Sequence, residues 1–388
     1  MTTRSPFAPL WSLDPGVDYL NHGSFGACPA AVLKVQADLR DELEREPVDF
    51  LSRRLPARLD EARAALAGFL GADPADLAFV TNATMGVNAV VRSLPFAPGD
   101  EILTTSHVYA ACHKTLRYVA ARRGARIVVA TLPFPVADPD QVVAAVLAAV
   151  TGRTKLALLD HVTSPTALIL PIERLVRELQ ERGVETLVDG AHAPGMVPLA
   201  LSALGAAYYT GNCHKWLCAP KGAAFLHVRR DRQEGLHPTV ISHGYEGGFH
   251  AEFDWTGTAD PTALLTVPAA IRYMGSLLPG GWGELMARNR ALALECRGII
   301  QDALGVNAAA PETMIGSIAA VVLPAAAPVS IAAHFDRDRV GSWIRERGVE
   351  SWFHDAPLPL MRVSAQLYND AEQYRLLAAL LVKLLRGE

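Results

Sequence analysis

Between residues 77 and 189 short apolar runs alternate with longer segments in which apolar residues recur every three or four positions. The spans 77–81, 101–104, 126–131, 155–161 and 185–189 read as strands, and 84–94, 111–123, 139–150 and 172–182 read as the helices between them. This alternation predicts a mostly parallel sheet with helices on both faces. Ligands of such sheets gather beyond the carboxyl ends of the strands, where Thr81, His107, His161 and Asp189 fall. Upstream, residues 30–70 read as helices broken near Pro47 and Pro56, with Leu55, Leu59, Ala62 and Leu66 tracing one apolar stripe. Downstream come a strand over 223–228 and a segment rich in glycine and aromatics over 243–258. A helix from Pro261 to about 278 is expected to link two domains. Strands near 316–323, 350–353 and 361–365 and a closing helix over 370–386 make a small α/β domain, and 308–311 and 324–328 read as loops. The expected division is an N-terminal segment over 1–20, a large domain over 21–260, and a linking helix with the small domain over 261–388.

Composition narrows the class. The 388 residues are half hydrophobic and one-fifth charged, a globular balance with room for one large and one smaller domain. A net charge of −4 gives no electrostatic case for nucleic acid or an anionic membrane. Apolar stretches such as 142–150 are too short to span a bilayer, and residues 1–11 lack the layout of a signal peptide. Cys28, Cys112, Cys213, Cys218 and Cys296 are odd in number and scattered, with neither zinc spacing nor a disulfide framework. A soluble cytoplasmic protein is expected.

Two stretches carry the chemistry. Val188-Asp189-Gly190-Ala191-His192 and Gly211-Asn212-Cys213-His214-Lys215-Trp216 set an aspartate and a lysine at the ends of successive apolar strands. A lysine amine can join an aldehyde as an imine, and a carboxylate can keep a pyridine nitrogen protonated, the two things pyridoxal phosphate requires. Thr81-Asn82-Ala83-Thr84 sits at a strand-to-helix junction, where free backbone N–H groups and a hydroxyl suit a phosphate monoester. Simple helix capping by Thr81 or Asn82 is the plainer reading of that turn, and the lysine and aspartate tip the balance towards phosphate. Ser106-His107-Val108-Tyr109 offers an aromatic plane for stacking on a pyridine ring. Asp160-His161-Val162-Thr163-Ser164-Pro165-Thr166 offers hydroxyl donors, Thr163 and Ser164 among them, near the ring oxygen.

Thr81-Asn82-Ala83-Thr84, Asp189-Gly190-Ala191-His192 and Asn212-Cys213-His214-Lys215-Trp216, with Tyr19-Leu20-Asn21-His22-Gly23-Ser24-Phe25-Gly26, Trp255-Thr256-Gly257-Thr258-Ala259-Asp260-Pro261 and Arg362-Val363-Ser364-Ala365-Gln366, resemble the class V aminotransferase family of fold-type I pyridoxal phosphate enzymes. Within it they look most like the isopenicillin N epimerase-like branch, which includes carbon–sulfur lyases of the ergothioneine route and cysteine desulfhydrase-like proteins. The resemblance runs from about residue 15 to the last helix. It implies that Lys215 is the imine lysine and, once released, the base at the α-carbon. Asp189 pairs with the pyridine nitrogen, Tyr109 stacks on the ring, and His192 bonds the ring oxygen. Ala83, Thr84, Asn212 and His214 hold the phosphate, with Thr258 reaching it from the other subunit of a homodimer. Arg362 clamps the substrate carboxylate, a task suited to a planar bidentate donor, and Asn21, His22 and Gly23 line the substrate side.

The reaction stays open at this level. Elimination from a sulfur-bearing amino acid needs one base and a good leaving group, whereas epimerisation needs proton delivery on both faces, with His22 the candidate second acid. Transamination or racemisation on the same fold, and a non-catalytic cofactor-binding sensor, are the alternatives. Sensors of that type carry an added DNA-binding helical domain, for which the short N-terminus leaves no room. The span 351–360 holds no cysteine, so the desulfurase reaction is not expected. Arg53 and Arg54 could supply a cation for a second carboxylate, but a solvated helix face is the commoner role. His243 and His250 have no acidic or cysteine partner nearby, and no metal is assigned.

Overall fold

Seven strands build the central sheet: β1 (Leu77–Val80), β2 (Glu101–Thr105), β3 (Arg126–Ala130), β4 (Thr154–Asp160), β5 (Glu185–Asp189), β6 (Tyr208–Asn212) and β7 (Ala224–Val228). The computed structural model describes residues 5–324, 337–355 and 357–386. Strand order is β1-β7-β6-β5-β4-β2-β3, and β7 alone runs against the rest. Side chains alternate between two apolar layers. Leu77, Phe79, Leu103, Leu159, Val188 and Phe225 enter one, while Ala78, Val80, Ile102, Leu158, Leu187 and Leu226 enter the other. Burial on both faces is what a mostly parallel sheet requires, so the expected α/β architecture is the one observed. Helix Ala83–Ser93 sits tightly on β6, because a Cβ on Gly86 would stand 2.3 Å from Thr210 Oγ1.

The helical prelude differs from expectation at one proline. Helix Ala30–Arg45 ends before Pro47, but Pro56 breaks nothing. A π-helical turn over Asp49–Arg54, in which the Leu55 N–H reaches Phe50 O, leads directly into helix Leu55–Leu70. The widened turn has already shifted the hydrogen-bond ladder where the proline lacks an N–H. Arg54 pairs with Glu42 and Asp49, and Arg53 with Asp49 and Glu46, so this arginine pair is absorbed in ion pairs.

Beyond β7 the chain forms Thr262–Leu265 and Val267–Ser276, then Gly281–Leu304. That last helix has 24 residues and packs on the closing helix Ala371–Arg386. Its buried positions include Asn289 and Arg297, so no wholly apolar stripe marks it in the sequence. The small sheet orders β8 (Ile318–Val322), β9 (Trp352–His354) and β10 (Leu360–Ser364) as β9-β10-β8, all antiparallel. Asp18–Tyr19 pairs in parallel with Val349–Glu350, so the N-terminal segment is stitched to the small domain. Residues 325–328 of the expected loop, and 1–4 and 387–388 of the terminal spans, lie outside the described residues. Among the described residues no helix is long and apolar enough to cross a membrane.

Candidate active site

The carboxyl ends of β4 and β5 carry Asp160 and Asp189 as register partners, 2% and 3% exposed. Asp189 is well partnered: Oδ1 accepts from the Ala191 N–H at 3.0 Å and Oδ2 from the Cys112 thiol at 3.2 Å. Asp160 is not. Its Oδ1 accepts from the Tyr109 N–H at 3.3 Å, and Oδ2 has no hydrogen-bond partner among the described residues. Burial raises both carboxyl pKa values, and the charge on Asp189 raises Asp160 further. The Cys112 and Ala191 bonds and the nearby Lys215 hold Asp189 back. Two buried carboxyls this close do not both ionise. Of the two, Asp160 is pushed further towards the protonated form.

Lys215 lies three residues beyond β6. Burial, then the Arg362 cation, lowers its pKa to about 8. Its Nζ is 3.1 Å from His192 Nε2, and the Trp216 indole N–H donates to His192 Nδ1 at 3.3 Å. The lysine loop rests against the N-terminal segment. Gly26 has φ +70, and a Cβ there would meet His214 O at 2.1 Å, so only glycine fits. His22 lies beneath the lysine: Nδ1 pairs with the Tyr368 hydroxyl at 2.8 Å, and Nε2 faces Lys215 O at 3.1 Å.

Helix Ala83–Ser93 points its N-terminus at the same place. Asn82 Oδ1 accepts from the Met85 N–H at 2.9 Å, so the capping reading holds for Asn82. Asn212 Oδ1 accepts from the Ala83 N–H at 2.8 Å. The Thr84 amide lies in the first turn, ahead of any intrahelical acceptor. His214 donates from Nδ1 to Ala223 O at 3.0 Å, and burial lowers its pKa to about 4. A cavity of about 530 Å³ opens among this helix end, Asp189 and Lys215.

Arg362, on β10 and 1% exposed, closes a second cavity of about 420 Å³ that also reaches Lys215. It donates to Ser164 O at 2.8 Å and Ser24 Oγ at 3.1 Å, while Nε has no partner among the described residues. Trp352 lies under the guanidinium, 4.0 Å from its carbon to the ring centroid. Burial lowers the Arg362 pKa to about 9, with no carboxylate among the described residues opposing the shift. A buried cation without a counter-charge is costly, and it suits an anion arriving from outside.

The structure brings Lys215, Asp189, His192, Tyr109, Ala83, Thr84, Asn212, His214 and Ser164 to the first cavity, and Gly23 and Arg362 to the second. Others lie elsewhere. Thr163 turns its hydroxyl into its own loop, against Thr166 and the Leu168 N–H. His107 is buried against Thr166 and Phe134. Asn21 stands behind Arg362, His22 is beneath the lysine, and Thr258 is exposed away from both cavities. Sequence reasoning missed the roles of Cys112, Trp216 and Trp352. Cys112 sits one helical turn after Tyr109, a spacing that could have pointed to it. Among the described residues no group of three metal-ligating side chains comes together.

A family model described as aminotransferase class-V matches residues 32–377. The chain is 37% identical to isopenicillin N epimerase of Streptomyces clavuligerus over 384 residues, 94% of each chain. It is 34% identical to putative L-cysteine desulfhydrase 1 of Oryza sativa subsp. japonica over 396 residues, covering 93% of this chain and 82% of that one. In fold it is similar to the cystine C–S lyase C-DES, solved in complex with its reaction product cysteine persulfide, at a TM-score of 0.80 and 21% identity over 95% of this chain and 98% of that one.

Proposed function

The chain belongs to the class-V aminotransferase family, an enzyme family that uses pyridoxal phosphate, and from that premise we propose that it eliminates a sulfur leaving group from the β-carbon of an amino acid. The donor set fits the cofactor: a buried, doubly hydrogen-bonded Asp189, a lysine amine acidified to about 8, and a helix N-terminus with the Thr84 amide open all face one cavity. Asp189 would hold the ring nitrogen, Lys215 the aldehyde carbon, and Thr84, with Ala83, Asn212 and His214 around it, the phosphate; Tyr109 would cover the ring, and His192 and Ser164 would serve the ring oxygen. When bound, pyridoxal phosphate withdraws electrons from the substrate α-carbon and so acidifies its C–H bond.

The protein's own groups do the rest. Arg362 takes the α-carboxylate, replacing weak internal acceptors with a charged one. Lys215 Nζ removes the α-proton, the Cβ–S electron pair leaves with sulfur, and hydrolysis of the remaining fragment yields keto acid and ammonia. The observation that carries elimination over epimerisation is the place of His22. The candidate second acid lies beneath Lys215, bonded to its carbonyl, with a pKa lowered by burial to about 3. Proton delivery to the opposite face has no support from it.

Thr258, exposed and away from its own cavity, is assigned to the phosphate of a second copy in a homodimer. The cytoplasm is the assigned compartment, because all five cysteines are buried free thiols.

The test is incubation of the holoprotein with a panel of amino acids in heavy water. Release of sulfide or thiol, keto acid and ammonia is expected. The opposite enantiomer, deuterated at Cα and without sulfide, would establish epimerisation instead. A spectral change without turnover would make the protein a binding module.

A further inference from the structure

Trp216 has one polar atom, and it is a donor. Its indole N–H reaches His192 Nδ1 at 3.3 Å, with both side chains buried. A neutral imidazole carries one proton, so an Nδ1 that accepts leaves the hydrogen on Nε2. That nitrogen is the one 3.1 Å from Lys215 Nζ. In this orientation both ring nitrogens have a partner. We propose that Trp216 is a positioning residue that fixes His192 as the Nε2–H tautomer, aiming a permanent N–H donor at the reacting end of Lys215.

Three further observations agree. The His192 pKa is pushed well below its usual value, first by burial and then by Lys215 and Arg362, so the ring stays neutral. The amine it faces is acidified to about 8, which brings the neutral form, whose lone pair accepts that N–H, within reach just above neutral pH. Trp216 is itself immobilised. His22 lies against it with ring centroids 4.8 Å apart, and a Cβ on Gly195 would stand 2.6 Å from its carbonyl carbon. Tyr368, from the small domain, holds His22 in turn. The indole therefore connects the packing under the lysine to the hydrogen position on the imidazole.

The inference rests on Lys215 being the reacting amine, and its test separates the two. Neutron diffraction from crystals of the deuterium-exchanged full chain reads the tautomer without turnover. Deuterium on Nε2 and none on Nδ1 is expected, while deuterium on Nδ1 overturns the proposal whatever the enzyme does. Trp216→Phe, which keeps an aromatic ring and removes the N–H, is expected to lower kcat for α-proton exchange about tenfold, the scale of one hydrogen bond. KM is expected to stay within about twofold, since no substrate contact is removed. In a His192→Gln background, which has no tautomer to set, the same change is expected to cost less than about twofold. An equal loss in both backgrounds means that Trp216 acts by packing alone and overturns the proposal. If Trp216→Phe does not fold, the neutron map of the unaltered protein decides. Absence of α-proton exchange in the unaltered enzyme would instead count against elimination, leaving the tautomer to the map.

Discussion

Asp160 and Asp189 stand opposite one another on adjacent parallel strands, yet only Asp189 has a partner on each oxygen. The asymmetry gives the two carboxyls different work. Asp189→Asn is expected to leave cofactor bound but slow α-proton removal by about two orders of magnitude or more, the range of a lost electrostatic stabiliser. Asp160→Asn keeps the shape, mimics the protonated acid, and is expected to change the rate by less than about fivefold. Single-turnover exchange rates for the two variants check this, and equal losses would contradict the division.

Lys215→Ala removes the amine proposed to join the cofactor. The visible absorbance of the holoprotein is expected to vanish and α-proton exchange to fall to background. An absorbance scan after reconstitution checks it, and retained colour with activity would place the reactive amine elsewhere.

The amine lowered to about 8 by burial and by Arg362 is neutral in about a tenth of molecules at pH 7. Capture of pyridoxal phosphate by apoprotein is therefore expected to quicken as pH rises and to level off above about 8, well below the 10.5 of an ordinary lysine. Stopped-flow reconstitution across pH 6.5–9.5 checks it.

Arg362→Ala leaves the substrate carboxylate without its cation. KM is expected to rise by about two orders of magnitude, the scale of truncating a buried charge pair, with kcat changed far less. Arg362→Lys is expected to recover only part of this, since an ammonium lacks the planar fork.

Among the described residues six histidines have a lowered pKa, burial being the first cause for each: His22 at about 3, His107, His161 and His214 at about 4, and His192 and His227 also lowered. In each case the unfolded chain binds the extra proton first. Their contribution is complete above about pH 6.5 and is lost as pH falls through about 4. The raised carboxyls of Asp160 and Asp189 act in the opposite sense but are fewer. Stability of the apoprotein is expected to fall from pH 6.5 to 4, which urea titrations at several pH values would show. A flat profile would contradict it.

Much of this site could be read from strand ends. Lys215 and Asp189 were legible because an amine and a carboxylate follow adjacent apolar runs, a local pattern. Arg362 was reached through resemblance, and its meaning, a cation without a counter-charge, depends on packing between β10 and the N-terminal segment. The Asp160–Asp189 pair depends on the register of β4 against β5, which no local pattern encodes. The hydroxyl of Thr163 was counted towards the cofactor, but the turn claims it for the Leu168 N–H. Helix Gly281–Leu304 escaped because Asn289 and Arg297 interrupt the stripe that would have marked it.

The oxygens that Arg362 holds, Ser164 O and Ser24 Oγ, belong to the protein itself. With Arg362 in its proposed role, every incoming α-amino acid must displace or share the same set, and so meets the same toll. The clamp thus grades no candidate above another. Discrimination falls to the rest of the chamber lining, which includes Phe25.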